Sequence, residues 1–114
     1  MKAIGTLSII KLLEGGQEGQ KIEKELRKTE KKKEKVYLSN YTLLELAYLL
    51  EFNYSLEREK VGKILKTFLK DPLFKLEEED VWEEAIDLYL KGKSLLDALR
   101  EVQYKKNNVE NEIS

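Results

Sequence analysis

The chain has 114 residues, 41% hydrophobic and 38% charged, and its 21 Lys and Arg nearly cancel its 22 Asp and Glu to leave a formal charge of −1. This is enough apolar material for one domain around one core over residues 1–114, too apolar for a disordered chain, and without a global basic field for nucleic acid. Cysteine and histidine are both absent, which excludes disulfides, zinc fingers, thiol catalysis and every Ser-His pair.

In chain order, the apolar segment KAIGT (2–6) is expected to open a buried sheet as a strand. LSIIKLLEGG (7–16) carries apolar residues at helical spacing and stops at the glycine pair, and residues 17–35 form a charged helix with a thin stripe at Ile22 and Leu26. VYLS (36–39) is β-branched and aromatic, hence a second strand. Residues 40–54 are apolar on more than one face and predict a central, mostly buried helix. Residues 55–71 predict a helix capped by Ser55 with a stripe at Leu56, Val61, Ile64, Leu65, Phe68 and Leu69, ended by Pro72. Residues 73–79 are expected as a short third strand, 79–92 as a helix stopped by Gly92, and 94–108 as a last helix capped by Ser94. Residues 109–114 suit the start of a fourth strand. Strands alternating with helices predict an α/β domain with a small parallel sheet of three or four short strands and helices on both sides.

No apolar run is long enough to span a membrane, and no secretory signal pattern follows Lys2. The expected location is therefore cytoplasmic. Abundant Lys and Glu with one Met and no Cys suit a heat-adapted source.

Two short stretches carry the chemistry. TLLEL (42–46) and SLLDAL (94–99) both have the Ser/Thr-x-x-acid form of a capping box. On that reading Glu45 and Asp97 only reach back to a helix N-terminus, each box being worth about 1 kcal/mol. The functional reading uses position instead. Glu45 lies in the helix after a strand and Asp97 in the first turn of the last helix, so both could meet at the sheet edge where open parallel sheets bind ligands. With no His or Cys available, the ion they would hold is a hard one, Mg2+ or Mn2+.

The order of KAIGTLSIIKLLEGG, VYLSNYTLLELAYLL and GKSLLDALREVQYKKNN resembles the PIN domain, the nuclease fold of VapC-type toxin–antitoxin ribonucleases, over nearly the whole chain. The resemblance implies a three-layer α/β/α fold and metal-assisted RNA hydrolysis by three or four carboxylates on Mg2+ or Mn2+. It also implies a homodimer and an antitoxin-like protein partner. Glu45 and Asp97 match the family's second and third acids, as catalytic and metal-holding residues. The first acid should follow Ile4, where Gly5 stands, and the fourth acid, past the last strand's Ser or Thr, is not in the chain. The implied protein is a degenerate, C-terminally truncated relative that holds Mg2+ or Mn2+ weakly, with impaired catalysis and a retained protein-interaction role. The alternatives are an active Mg/Mn-dependent endoribonuclease using Glu45 and Asp97 with a substitute acid such as Asp80, and a non-catalytic binder of RNA through Lys31, Lys32, Lys33, Lys35, Lys105 and Lys106.

Overall fold

The computed structural model describes residues 1–113 and is mixed α/β. In chain order the elements are β1 (Lys2–Ala3), α1 (Thr6–Glu14), α2 (Gln17–Lys31), β2 (Val36–Leu38), α3 (Asn40–Tyr48), a π-helical turn (Leu49–Asn53), α4 (Arg58–Lys70), β3 (Phe74–Leu76), α5 (Glu79–Leu90) and α6 (Leu95–Lys106).

The strands form one parallel sheet in the order β1-β2-β3, with Lys2 opposite Val36 and Leu38 opposite Leu76. The ladder continues past the strand ends, where the Ile4 N–H donates to the Tyr37 carbonyl at 3.3 Å and the Glu77 N–H to the Leu38 carbonyl at 2.9 Å. Parallel neighbours need long crossovers. The pairs α1/α2 and α3/α4 supply them. Three strands cannot bury themselves, so the core is built by helix stripes: Ile9, Leu38, Leu43, Leu46, Val61, Leu65, Trp82, Ile86 and Tyr89 are all buried in it. A second seam of Val81, Ala85, Ala98 and Val102 joins α5 to α6. The α/β class with a small parallel sheet is the class expected from the alternation of strands and helices.

The predicted stops hold. Gly15 (φ 78°) closes α1 with its N–H on the Lys11 carbonyl at 3.2 Å, and Gly92 (φ 113°) follows α5. Asp71, before Pro72, leaves helical angles at φ −79°, ψ 116°.

Several expectations are corrected. Residues 109–113 form no strand, and Ser114 lies outside the described residues, so the sheet has three strands among the described residues. The helix expected over 40–54 ends as an α-helix at Tyr48 and continues as the π turn, closed where the Tyr54 N–H donates to the Leu49 carbonyl at 3.0 Å. Ser55 is no N-cap: it sits at φ 55°, and α4 begins at Arg58 after Glu57, which makes no side-chain cap. The π turn consumes the residues a cap would need, because the Leu56 N–H still reaches back to Leu50 at 3.0 Å. The first strand is Lys2–Ala3 rather than 2–6, because Gly5 is already the N-cap of α1.

A candidate active-site cleft between two helices

Each strand hands its chain to a helix at the carboxyl edge of the sheet: Gly5 after β1, Ser39 after β2, Glu78 after β3. Ser39 is extended (φ −70°, ψ 148°), and its Oγ accepts the Tyr41 N–H at 3.1 Å. That places the cap three residues before Thr42, which is inside α3, so the capping-box reading of residues 42–45 fails. Glu45 is therefore free of any capping task. It is exposed, and among the described residues it takes part in no ion pair.

The second motif is half a capping box. Ser94 Oγ accepts the Asp97 N–H at 3.2 Å, as expected. The Asp97 carboxylate does not reach back; it accepts from Arg100 at 2.9 Å and stays 62% exposed.

A polar network ties these helices together at the sheet edge. Asn40 donates through Nδ2 to Glu78 at 2.7 Å and accepts the buried Trp82 indole N–H at 2.8 Å. Gln103 of α6 donates to the same Glu78 oxygen at 3.0 Å, and the Asn40 N–H donates to Glu77 at 2.9 Å. The hydrogen bond from Asn40, followed by those from Gln103 and Lys106, holds the Glu78 carboxyl below the usual range. The far end is tied by Tyr89, whose buried hydroxyl donates to Glu51 of the π turn at 2.9 Å, and by Arg58, which donates to the Tyr89 and Lys93 carbonyls at 2.9 and 2.6 Å.

Asn40 thus stands beside Gln103, and Glu51 beside the turn from α5 to α6, so α3 and α6 run antiparallel. Between them lies a cavity of about 320 Å³ lined by Asn40, Tyr41 and Leu44 of α3, by Leu96, Leu99, Arg100 and Gln103 of α6, and by Glu77. Glu45 is five residues from Asn40 and Asp97 six from Gln103, or about 7.5 Å and about 9 Å along the two helices at 1.5 Å per residue. The two acids are therefore nearly level on the two helices. Each follows a lining leucine, Leu44 or Leu96, and neither lines the cavity itself. Asp97 sits in the first turn of α6 and Glu45 in the second turn of α3.

Among the described residues, no three Asp, Glu, His or Cys side chains stand close enough together to hold a metal ion. Two carboxylates do not fit Mg2+ or Mn2+ well: they neutralise the charge but leave most of an octahedral shell to water. Gly5 has an extended backbone (φ −97°, ψ 171°), and a Cβ built there would meet nothing within 4 Å. Asp80 does not stand in as a third acid, because it is committed to Lys106 at 3.3 Å at the opposite end of α6 from Asp97. The basic residues are partly spent as well: Lys105 pairs with Glu84 at 2.9 Å, Lys106 with Glu78 and Asp80, and Lys35 donates to the Pro72 carbonyl.

The residues sequence reasoning missed are Asn40, Glu77, Glu78 and Gln103. The available signal was the acid run LEEED (76–80) at the end of a strand, directly before a helix.

The chain is similar over its full length to the VapC ribonuclease of Aquifex aeolicus (strain VF5), with 34% identity over 116 residues that cover 100% of this chain and 86% of that protein. No family model matches the chain. No solved structure matches it either.

Proposed function

The chain belongs to the VapC family of PIN-type proteins, and on that premise we propose that it is a toxin–antitoxin-type, ribonuclease-like protein whose catalysis is impaired at one position, Gly5, and whose retained role is protein interaction. The observation that carries this reading is the glycine itself. It occupies the carboxyl end of β1 in an unstrained, extended conformation with open space where a side chain would project. A Cβ fits there without a clash, which supports room for an acid at the position where this chain has none.

The acids that remain are Glu45 and Asp97, level on the two helices of one cleft and both exposed to solvent. In this reading they are what remains of a metal-dependent phosphodiester-hydrolysis site and would hold Mg2+ or Mn2+ only weakly. A bound Mg2+ or Mn2+ would activate water and offset charge on the phosphate. The chain's own contribution is to hold Asp97 at the start of α6 by the Ser94 cap and by Arg100. Exposed Phe52 and Tyr54, with Phe52 stacked on Tyr48 at 5.6 Å, support a homodimer or an antitoxin-like partner on the face of the π turn.

The test is cleavage of single-stranded RNA with and without Mg2+ or Mn2+ by the wild type, Gly5→Asp, and Gly5→Asp with Asp97→Asn. Metal-dependent cleavage that appears in Gly5→Asp and disappears in the double variant supports the reading. Cleavage by the wild type that is lost in Asp97→Asn alone would favour instead an active endoribonuclease working with Glu45 and Asp97.

A further inference from the structure

We propose that the cleft between α3 and α6 binds a base of single-stranded RNA, stacked on Tyr41 and selected by the Glu77 carboxylate, with guanine preferred. This rests on the ribonuclease-type reading above and names the substrate element next to that site.

The cavity has the size and make-up of a ligand site. At about 320 Å³ it reaches the lower end of ligand cavities, roughly 300 Å³. Its walls are the apolar side chains of Leu44, Leu96 and Leu99. Its polar lining groups are Asn40, Tyr41, Glu77, Arg100 and Gln103. Tyr41 lines it and is 80% exposed. A side chain so little buried contributes little to the core, while its ring offers a free stacking face.

Glu77 is the only acid among the lining residues. One of its oxygens accepts the Asn40 N–H at 2.9 Å, which fixes the carboxylate at the sheet edge. The Tyr37 hydroxyl makes a further side-chain hydrogen bond to Glu77, and a carboxylate has about four acceptor sites, so about half of its capacity stays available. Unpaired RNA bases are read on their Watson–Crick edges. Guanine presents two adjacent donors there, N1–H and the N2 amino group, and a carboxylate can accept both. Adenine and cytosine present one amino group, uracil one N–H. Arg100 also lines the cavity; it is already held by Asp97 and keeps further donors for a neighbouring phosphate. A base in the cleft would carry its flanking phosphates past Leu44 and Leu96, toward Glu45 and Asp97.

The experiment is metal-free fluorescence anisotropy with labelled RNA oligomers of uridine carrying one central G, A, C or U. The proteins are the wild type, Tyr41→Ala, Glu77→Gln, and Leu13→Ala as an exposed apolar control on α1. Glu77→Gln keeps an oxygen for the Asn40 N–H, and circular dichroism checks that each variant is folded. The expected result is tighter binding of the G oligomer over all-U by about tenfold, erased in Glu77→Gln. Tyr41→Ala should weaken every oligomer by about five- to hundredfold, and Leu13→Ala should change nothing. Equal binding of all four oligomers by the wild type, unchanged binding in both cleft variants, or no binding by the wild type would overturn the inference. None of these results bears on the cleavage gained by Gly5→Asp, which tests the reading beneath it separately.

Discussion

Ser94 and Asp97 are joined by the Asp97 N–H and not by its carboxylate: Ser94 Oγ accepts that N–H at 3.2 Å, while the acid turns to Arg100 at 2.9 Å. The motif Ser-x-x-Asp therefore divides into a structural half and an available half. Ser94→Ala should cost about 1 kcal/mol of unfolding free energy, the usual worth of an N-cap. Asp97→Asn should cost only a few tenths, since an exposed ion pair and a first-turn acid contribute little. Urea denaturation of both variants checks this. A larger loss for Asp97→Asn than for Ser94→Ala would make the acid structural.

Tyr89 predicts an alkaline weakness. Burial first, then its hydrogen bond to Glu51, raises the Tyr89 hydroxyl well above its ordinary value of 10.0. A raised pKa means the folded state keeps the proton that the unfolded chain releases. The contribution is thus complete below pH of about 10 and is lost as pH rises beyond it. Thermal denaturation across that range should show the wild type losing stability faster than Tyr89→Phe. Parallel curves for the two proteins would show that the hydroxyl does not carry this dependence.

Asn40→Ala should cost about 1–3 kcal/mol, the penalty for stranding a buried donor. The donor is the Trp82 indole N–H, which is fully buried and has Asn40 Oδ1 as its acceptor at 2.8 Å. Trp82 is the single tryptophan, so its fluorescence reports the unfolding and the changed surroundings together. A cost near zero with unshifted emission would mean that the network does not hold α3 to α5.

Gly19→Ala should destabilise the protein despite alanine's higher helix propensity. A Cβ at Gly19 would lie 2.4 Å from the Lys11 carbonyl oxygen, a backbone atom that can yield only if α1 and α2 separate. Overpacking of this kind costs about 1–3 kcal/mol, against about 1 kcal/mol gained in propensity. A stabilised Gly19→Ala in chemical denaturation would place α1 and α2 farther apart than described.

The order of elements could be read from the residues because strands and helices alternate with clear punctuation: Gly15, Pro72 and Gly92 each end an element where expected. The π turn could not. Residues 49–53 have the composition of an ordinary helix, and the wider winding is set by tertiary partners such as the Glu51–Tyr89 hydrogen bond. The same limit applied to the cleft. Asn40 and Glu78 are 38 residues apart, and nothing local marks them as partners. Thr42 misled for the opposite reason, since its spacing to Glu45 suits a cap but Ser39 had already taken that place.

The most direct measurement is Mn2+ binding by the wild type, Gly5→Asp, and Gly5→Asp with Asp97→Asn, read by titration calorimetry without RNA. In the proposed reading Glu45 and Asp97 alone bind the ion weakly, and position 5 lacks the further ligand. Gly5→Asp should then tighten binding by about tenfold or more, since affinity follows ligand charge count, and Asp97→Asn should reverse the gain. Binding that does not change in Gly5→Asp, or a gain that survives Asp97→Asn, would contradict it.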